Sequence, residues 1–162
     1  EELHFRIGNT KAEIGVLDLG QNTLDLYALQ GGKVTPRFVG GGKLGVRRLL
    51  DLMDGSLAGR DVVEIDAELR SGKRKPAQAH LQSWLGEVMG AIERVWPNLR
   101  RFTAIIPGGG GSLLLGDLLR GALALHGAAV YWPADPVMTN AIGLWKYASA
   151  LQRKEGDNHG SH

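Results

Sequence analysis

The sequence predicts an α/β fold, a three-stranded meander extended by further strands into a mixed sheet with packed helices. Three patterns carry that expectation. Apolar runs at Ile14–Leu19 and Leu24–Leu29 flank a short polar turn, as two paired strands would. A second apolar stretch, Thr103–Ile106, passes through Pro107-Gly108-Gly109-Gly110-Gly111-Ser112 into a helical pattern from Leu113 to Leu125. Between them Leu81, Leu85, Val88, Met89, Ile92 and Val95 recur at helical spacing from Ala77 to Trp96, one apolar face of a long helix.

Taken in order, the first two strands pair around Gly20–Thr23. Gln30-Gly31-Gly32-Lys33 reads as a second turn and Val34–Val39 as the third strand. After Gly40-Gly41-Gly42, residues Leu44, Val46, Leu49, Leu50, Met53 and Leu57 fall on one helical stripe. Asp61–Ile65 fits a short edge strand, and Asp66–Pro76 a charged loop centred on Arg70-Ser71-Gly72-Lys73-Arg74-Lys75. Pro97 ends the long helix, since proline cannot continue it. From Arg153 onward the chain is polar and reads as a disordered tail.

Bulk properties bound the function. The 162 residues fit one domain, with 43% hydrophobic and 22% charged residues and a net charge of +2. These are globular values, which argue against general disorder and against a strongly basic nucleic-acid surface. There is no cysteine, hence no disulfide framework and no thiolate metal site. No apolar run is long enough to span a bilayer and no secretory leader is visible, so a soluble cytoplasmic protein is expected. His4, His80 and His126 are scattered with no metal-ligand spacing between them, and His159 and His162 lie in the tail. Lys73-Arg74-Lys75 is most simply a solvated loop. Trp84, Trp96, Trp132 and Trp145 read as core or interface anchors; Trp132, before Pro133, is the one expected to meet a partner.

The chemistry sits at the glycines. In Asp18-Leu19-Gly20-Gln21-Asn22-Thr23-Leu24-Asp25 a turn offers backbone N–H donors, a hydroxyl and two carboxylates. Amides suit phosphate oxygens, and a carboxylate suits the waters of a magnesium ion. An ordinary hairpin with a polar tip uses the same residues. Four consecutive glycines after a strand cost backbone entropy, which a flat ligand packed on bare backbone would justify; a flexible connector is the alternative. Gly40-Gly41-Gly42-Lys43-Leu44-Gly45 satisfies G-x-G-x-x-G, with Asp61 or Glu64 as its acidic partner, but follows a meander where a dinucleotide site needs a βαβ start. A P-loop fails because Leu44 follows Gly42-Lys43.

Four motifs in order resemble the actin-like ATPase superfamily (actins, sugar kinases and heat-shock chaperones), and most closely the ParM-type bacterial actins that segregate plasmids. They are the DxGxxTxD turn of Asp18, Gly20, Thr23 and Asp25; Leu44-Gly45-Val46 opening a helix; the strand and glycines Ile105–Gly111; and Asn140-Ala141-Ile142-Gly143-Leu144 opening the last helix. Agreement runs from about Ile14 to Ala150. The resemblance implies a ribonuclease H-like actin-ATPase domain binding ATP and Mg. It assigns catalysis to Asp18, which would order the magnesium shell, the attacking water, or both. Gly20, Gln21 and Asn22 would present amides to the terminal phosphates. Thr23 would add a hydroxyl donor, and Asp25 would hold the turn or join the metal shell. Gly108, Gly109, Gly110 and Gly111 would make room for adenosine, with Arg47 or Arg48 flanking the base.

The first domain of that family, with its own acidic turn, has no counterpart here. The resemblance therefore covers the second half only: residues 10–152, with 59–76 as a small insertion and 1–9 as a stub of the preceding domain. Such a half is expected to fold, to bind nucleotide weakly and not to hydrolyse ATP alone. Gln21 departs from a glycine found in many relatives. Implied partners are further copies in a filament and an adaptor protein on DNA, with no direct nucleic-acid contact and no membrane. The alternatives are a non-polymerising kinase or chaperone-like member of the superfamily, and a nicotinamide-binding domain.

Overall fold

β1 (Glu13–Leu19) and β2 (Leu24–Gln30) form an antiparallel hairpin in which Asp18 lies opposite Asp25 and Leu19 opposite Leu24. The computed structural model describes residues 12–31, 33–53, 61–143, 145 and 149; the expected stub 1–9 and tail 153–162 lie outside the described residues. Strand alternation sorts the hairpin. Leu17, Leu19, Leu24, Leu26 and Ala28 are buried, while Asp18 and Asp25 take the intervening positions, so both carboxylates share the opposite face.

The outer edge of β2 is shared. β3 (Lys33–Val34) pairs with its end and β4 (Gly40–Gly42) with Leu24–Leu26, both antiparallel. This corrects the expected third strand, Val34–Val39. Pro36 lacks an N–H and fixes φ, so Pro36–Phe38 winds into a 3₁₀ turn and the chain re-enters the sheet through three glycines. Because β4 is an antiparallel edge strand, the G-x-G-x-x-G run opens no βαβ unit and the nicotinamide reading loses its structural context.

On the other side β5 (Ala104–Gly108) runs parallel to β1, with Asp18 opposite Gly108. A parallel bridge from Ile105 to Val130 extends this edge. Among the described residues the sheet is mixed and five-stranded, β3-β2-β1-β5 with β4 also on β2.

Helices cover the leucine face. α1 (Val46–Leu52) buries Val46, Leu49 and Leu50; its expected extension to Leu57 enters residues 54–60, outside those described. α2 (Val62–Arg70) replaces the expected strand Asp61–Ile65. Asp61 caps it, its carboxylate accepting from the Val63 N–H at 2.9 Å, and Ile65 and Leu69, four apart, are buried. An N-cap followed by that spacing is a helix signal, and it outweighs the β-branched pair Val62-Val63.

α3 (Gln78–Val95) is the long central helix, with Trp84, Val88 and Ile92 fully buried. The Trp84 indole N–H donates to the Leu44 carbonyl (2.7 Å) and that of Trp96 to Phe38 (3.0 Å), which satisfies the polar edge of each buried ring. The expected helix Leu113–Leu125 is two helices, α4 (Gly110–Leu115) and α5 (Asp117–Leu125), broken at Gly116 with φ +48°. Trp132 packs against the core under Arg120; Trp145, 68% exposed, is the tryptophan open to solvent.

Candidate functional site

The β1–β2 turn is held from behind by the start of α1. The carbonyls of Gly20, Gln21 and Asn22 accept from the N–H groups of Val46 (3.0 Å), Arg47 (2.8 Å) and Gly45 (3.2 Å). That approach needs glycine at position 45, where a β-carbon would stand 2.6 Å from the backbone of Gln21 and Asn22. The Leu-Gly-Val motif is thus the clamp of the turn. The Gly20 N–H closes the turn onto the Thr23 carbonyl (2.9 Å). Among the described residues this leaves the amides of Gln21 and Asn22, not that of Gly20, as unused donors. The Thr23 hydroxyl donates to Asp25 Oδ2 (2.7 Å), so this pair braces the turn itself.

The glycines after β5 meet the same turn from in front. Gly109 has φ +82°, and a β-carbon there would collide with the Leu19 carbonyl and stand 2.7 Å from Asp18 Oδ1. A β-carbon at Gly111 would stand 2.6 Å from the Leu19 side chain. These two glycines let the β5–α4 corner press onto the end of β1. At Gly110 the space is open.

Between the turn, α2 and α4 lies a cavity of about 450 Å³ lined by Gly20, Gln21, Val46, Asp66, Leu69, Arg70, Gly110, Leu113, Leu114 and Val137. It opens beyond the carboxyl ends of parallel strands β1 and β5, the usual ligand position in open α/β sheets. Its volume lies within the roughly 300–1,000 Å³ of small-molecule sites.

The expected residues divide by place. Gly20, Gln21 and Gly110 line the cavity; Asn22, Thr23, Asp25, Gly108, Gly109 and Gly111 are not in its wall. Arg47 is not in its wall and pairs with Asp51 one helical turn away (3.5 Å), while Arg48 binds Glu87 on α3 through two 2.7 Å bonds. The basic group at the cavity is Arg70, bonded to Asp66 (2.7 Å) and reaching the Gln21 amide oxygen at 3.5 Å. The Gln21 side chain is thereby turned toward α2. Asp66 and Arg70 were hidden by the strand reading of Asp61–Ile65; their spacing of four beside Ile65 and Leu69 is the signal that reveals them.

Asp18 is not in the cavity wall. Its Oδ2 accepts from Asn140 Nδ2 at 2.6 Å. Burial first, and then the negative charge of Asp18, push the Tyr27 phenol above its ordinary value. Among the described residues no group of three or more His, Cys, Asp or Glu could hold a metal ion. A nucleotide-borne magnesium needs no such group, since it keeps several waters and takes one or two carboxylates plus phosphate oxygens. Asp18 opposite Asp25 fits that demand. No described helix is long and apolar enough to cross a membrane.

No family model and no curated protein matches the sequence. Solved structures do match the fold. The apo ParM protein of pSK41 superposes with a TM-score of 0.68 at 21% identity, over 90% of this chain and 43% of that one. Ta0583, an archaeal actin homologue, gives 0.68 at 18%, over 93% and 52%. A ParM from a 15-stranded filament of Clostridium botulinum gives 0.63 at 16%, over 86% and 46%. The chain thus spans about half the length of the solved actin-like proteins it matches, and it has their fold.

Proposed function

We propose that this chain, which folds as part of an actin-like protein, is the nucleotide-binding second half of an actin-like ATPase. Its phosphate chain lies on the β1–β2 turn and its adenosine in the cavity. The observation that carries this reading is convergence. Two glycine-bearing corners far apart in sequence meet so closely that Gly109 has no room for a β-carbon beside Asp18, and one cavity is lined from both. Ta0583, with the same fold, is also known as a complex with ADP at a TM-score of 0.57 and 17% identity.

Phosphoryl transfer asks chiefly for positioning and relief of phosphate charge. The free N–H groups of Gln21 and Asn22 donate to phosphate oxygens, and α1 holds their peptides rigid from behind. Asp18 takes the waters around the phosphates and orients the attacking one. Thr23 and Asp25 keep the turn in shape. Leu69, Leu113, Leu114 and Val137 give the base an apolar enclosure, with Gly110 leaving it space. A magnesium ion arriving with the nucleotide would be held through Asp18 and would neutralise the β- and γ-oxygens.

The complete protein is then a cytoplasmic filament former that moves plasmid DNA through an adaptor. Filament structures of a ParM and of Alp12 among the neighbours support self-association. The second reading is a non-polymerising kinase or chaperone-like ATPase of the same superfamily. Light scattering of the complete protein on addition of ATP separates them, with a rise for the filament former and none for the alternative. Replacing Asp18 by Ala is expected to abolish hydrolysis in the complete protein with the fold intact; retained turnover would overturn the assignment.

A further inference from the structure

We infer that Asn140 is a positioning residue of this nucleotide site, holding the Asp18 carboxylate through Oδ2 so that the acid meets the phosphate chain and its metal shell in one orientation. The inference rests on the nucleotide reading above and adds a residue to it. Asn140 Nδ2 donates to Asp18 Oδ2 at 2.6 Å, across 122 positions of sequence. Facing a carboxylate, which only accepts, the side-chain amide must present its NH₂ group.

The donor is held in place by its own segment. The Gly109 N–H binds the Pro136 carbonyl (2.8 Å), which fastens the segment to the end of β5. Asp135 Oδ1 accepts from the N–H groups of Val137 (3.0 Å) and Met138 (3.2 Å), and the Thr139 hydroxyl returns to the Asp135 carbonyl (3.0 Å). Residues 139–143 then continue as helix. Asp18 is thus confined on both sides, with Oδ1 against Gly109 and Oδ2 bonded to Asn140.

The chemistry of the donor matters. An Arg or Lys at this place would neutralise Asp18 and compete with a cation. A neutral amide fixes the plane of the carboxylate and leaves its negative charge intact. An ionised carboxylate has about four acceptor sites, and Asn140 takes one, so capacity remains for metal-bound water.

The test uses the 162-residue chain as wild type, Asn140→Ala, Asp18→Ala and the double variant. Urea unfolding, which needs no ligand, gives the Asp18–Asn140 coupling. Calorimetric titrations with adenosine, with ADP and with ADP plus Mg²⁺ give the positioning effect. Asn140→Ala is expected to weaken Mg·ADP about tenfold, the scale of one hydrogen bond to a charged group, and to leave adenosine unchanged. The double variant should bind Mg·ADP no more weakly than Asp18→Ala, because Asn140 acts through Asp18. Should Asn140→Ala fail to unfold cooperatively, the near-isosteric Asn140→Asp serves, and there metal-free ADP should weaken as well. Equal losses for adenosine and Mg·ADP, additive effects, or no coupling in urea overturn the inference alone. A wild-type chain that binds none of the three ligands overturns the nucleotide reading and the inference with it.

Discussion

Glycines at this site do two different jobs, and substitution separates them. At positions 45 and 109 a β-carbon meets fixed backbone, and φ at Gly109 is +82°. Gly45→Ala and Gly109→Ala are each expected to cost about 2 kcal/mol or more in urea unfolding, the combined scale of overpacking and left-handed strain. Gly110, with open space around it, should accept Ala within about 0.5 kcal/mol, while Gly110→Val should obstruct the cavity and weaken nucleotide binding. The Asp18 charge can be read from a neighbour. Its field is the lesser cause, after burial, of the raised Tyr27 phenol, so Asp18→Asn should lower the Tyr27 titration part of the way in a spectrophotometric alkaline titration. At this scale the sequence was informative where chemistry is local. Asp18, Gly20 and Gln21 could be placed on the turn because turn residues declare themselves within a few positions. That Gly109 is filled by the chain's own β1, and that Asn140 reaches Asp18, depends on strands meeting across long separations, which no local pattern encodes.

Elements were legible in proportion to their length and periodicity. The apolar face of α3 spans five turns and is visible to within a residue. α2 was misread because Val62, Val63 and Ile65 carry β-branched side chains, and Asp61 as N-cap is one residue against three. Pro36 should have divided the third strand, since a ladder donor is missing there. The helices are tied by Arg48 of α1 and Glu87 of α3. Hydrogen bonding by Arg48 chiefly holds Glu87 below the ordinary carboxylate value, burial opposing it. A depressed carboxylate stabilises the fold fully above its ordinary value and loses that contribution as pH falls through the lowered one. Glu87→Gln should therefore be less stable than wild type at neutral pH, with the two urea midpoints converging as pH is taken down from roughly 7 to 3.

Taken whole, the molecule presents one wall of a cleft on the proposed reading. The cavity has an apolar wall of Leu69, Leu113, Leu114 and Val137 beside the β1–β2 turn, and the solved proteins of this fold are about twice as long. Tight ligands are enclosed on most of their surface, so ADP should bind the complete protein more tightly than this chain, a difference that calorimetry on both would measure. The motif order from Asp18 to Asn140 made the actin-like fold readable at this scale, because the sequence preserves the order in which the elements are laid down.

The parallel pairing of β1 with β5 also sets a timetable. The hairpin of β1 and β2 closes over a few residues, an event of about 1–10 μs. Asp18 and Gly108 are partners separated by 90 positions (108 − 18), and such distant pairing is entropically costly and slow. A nascent chain halted before Ala104 would own the β1–β2 turn yet lack the corner that completes the pocket. On the nucleotide reading, ligand recognition is a late acquisition in the life of each molecule, and a nucleotide added during refolding should report the closing of that corner.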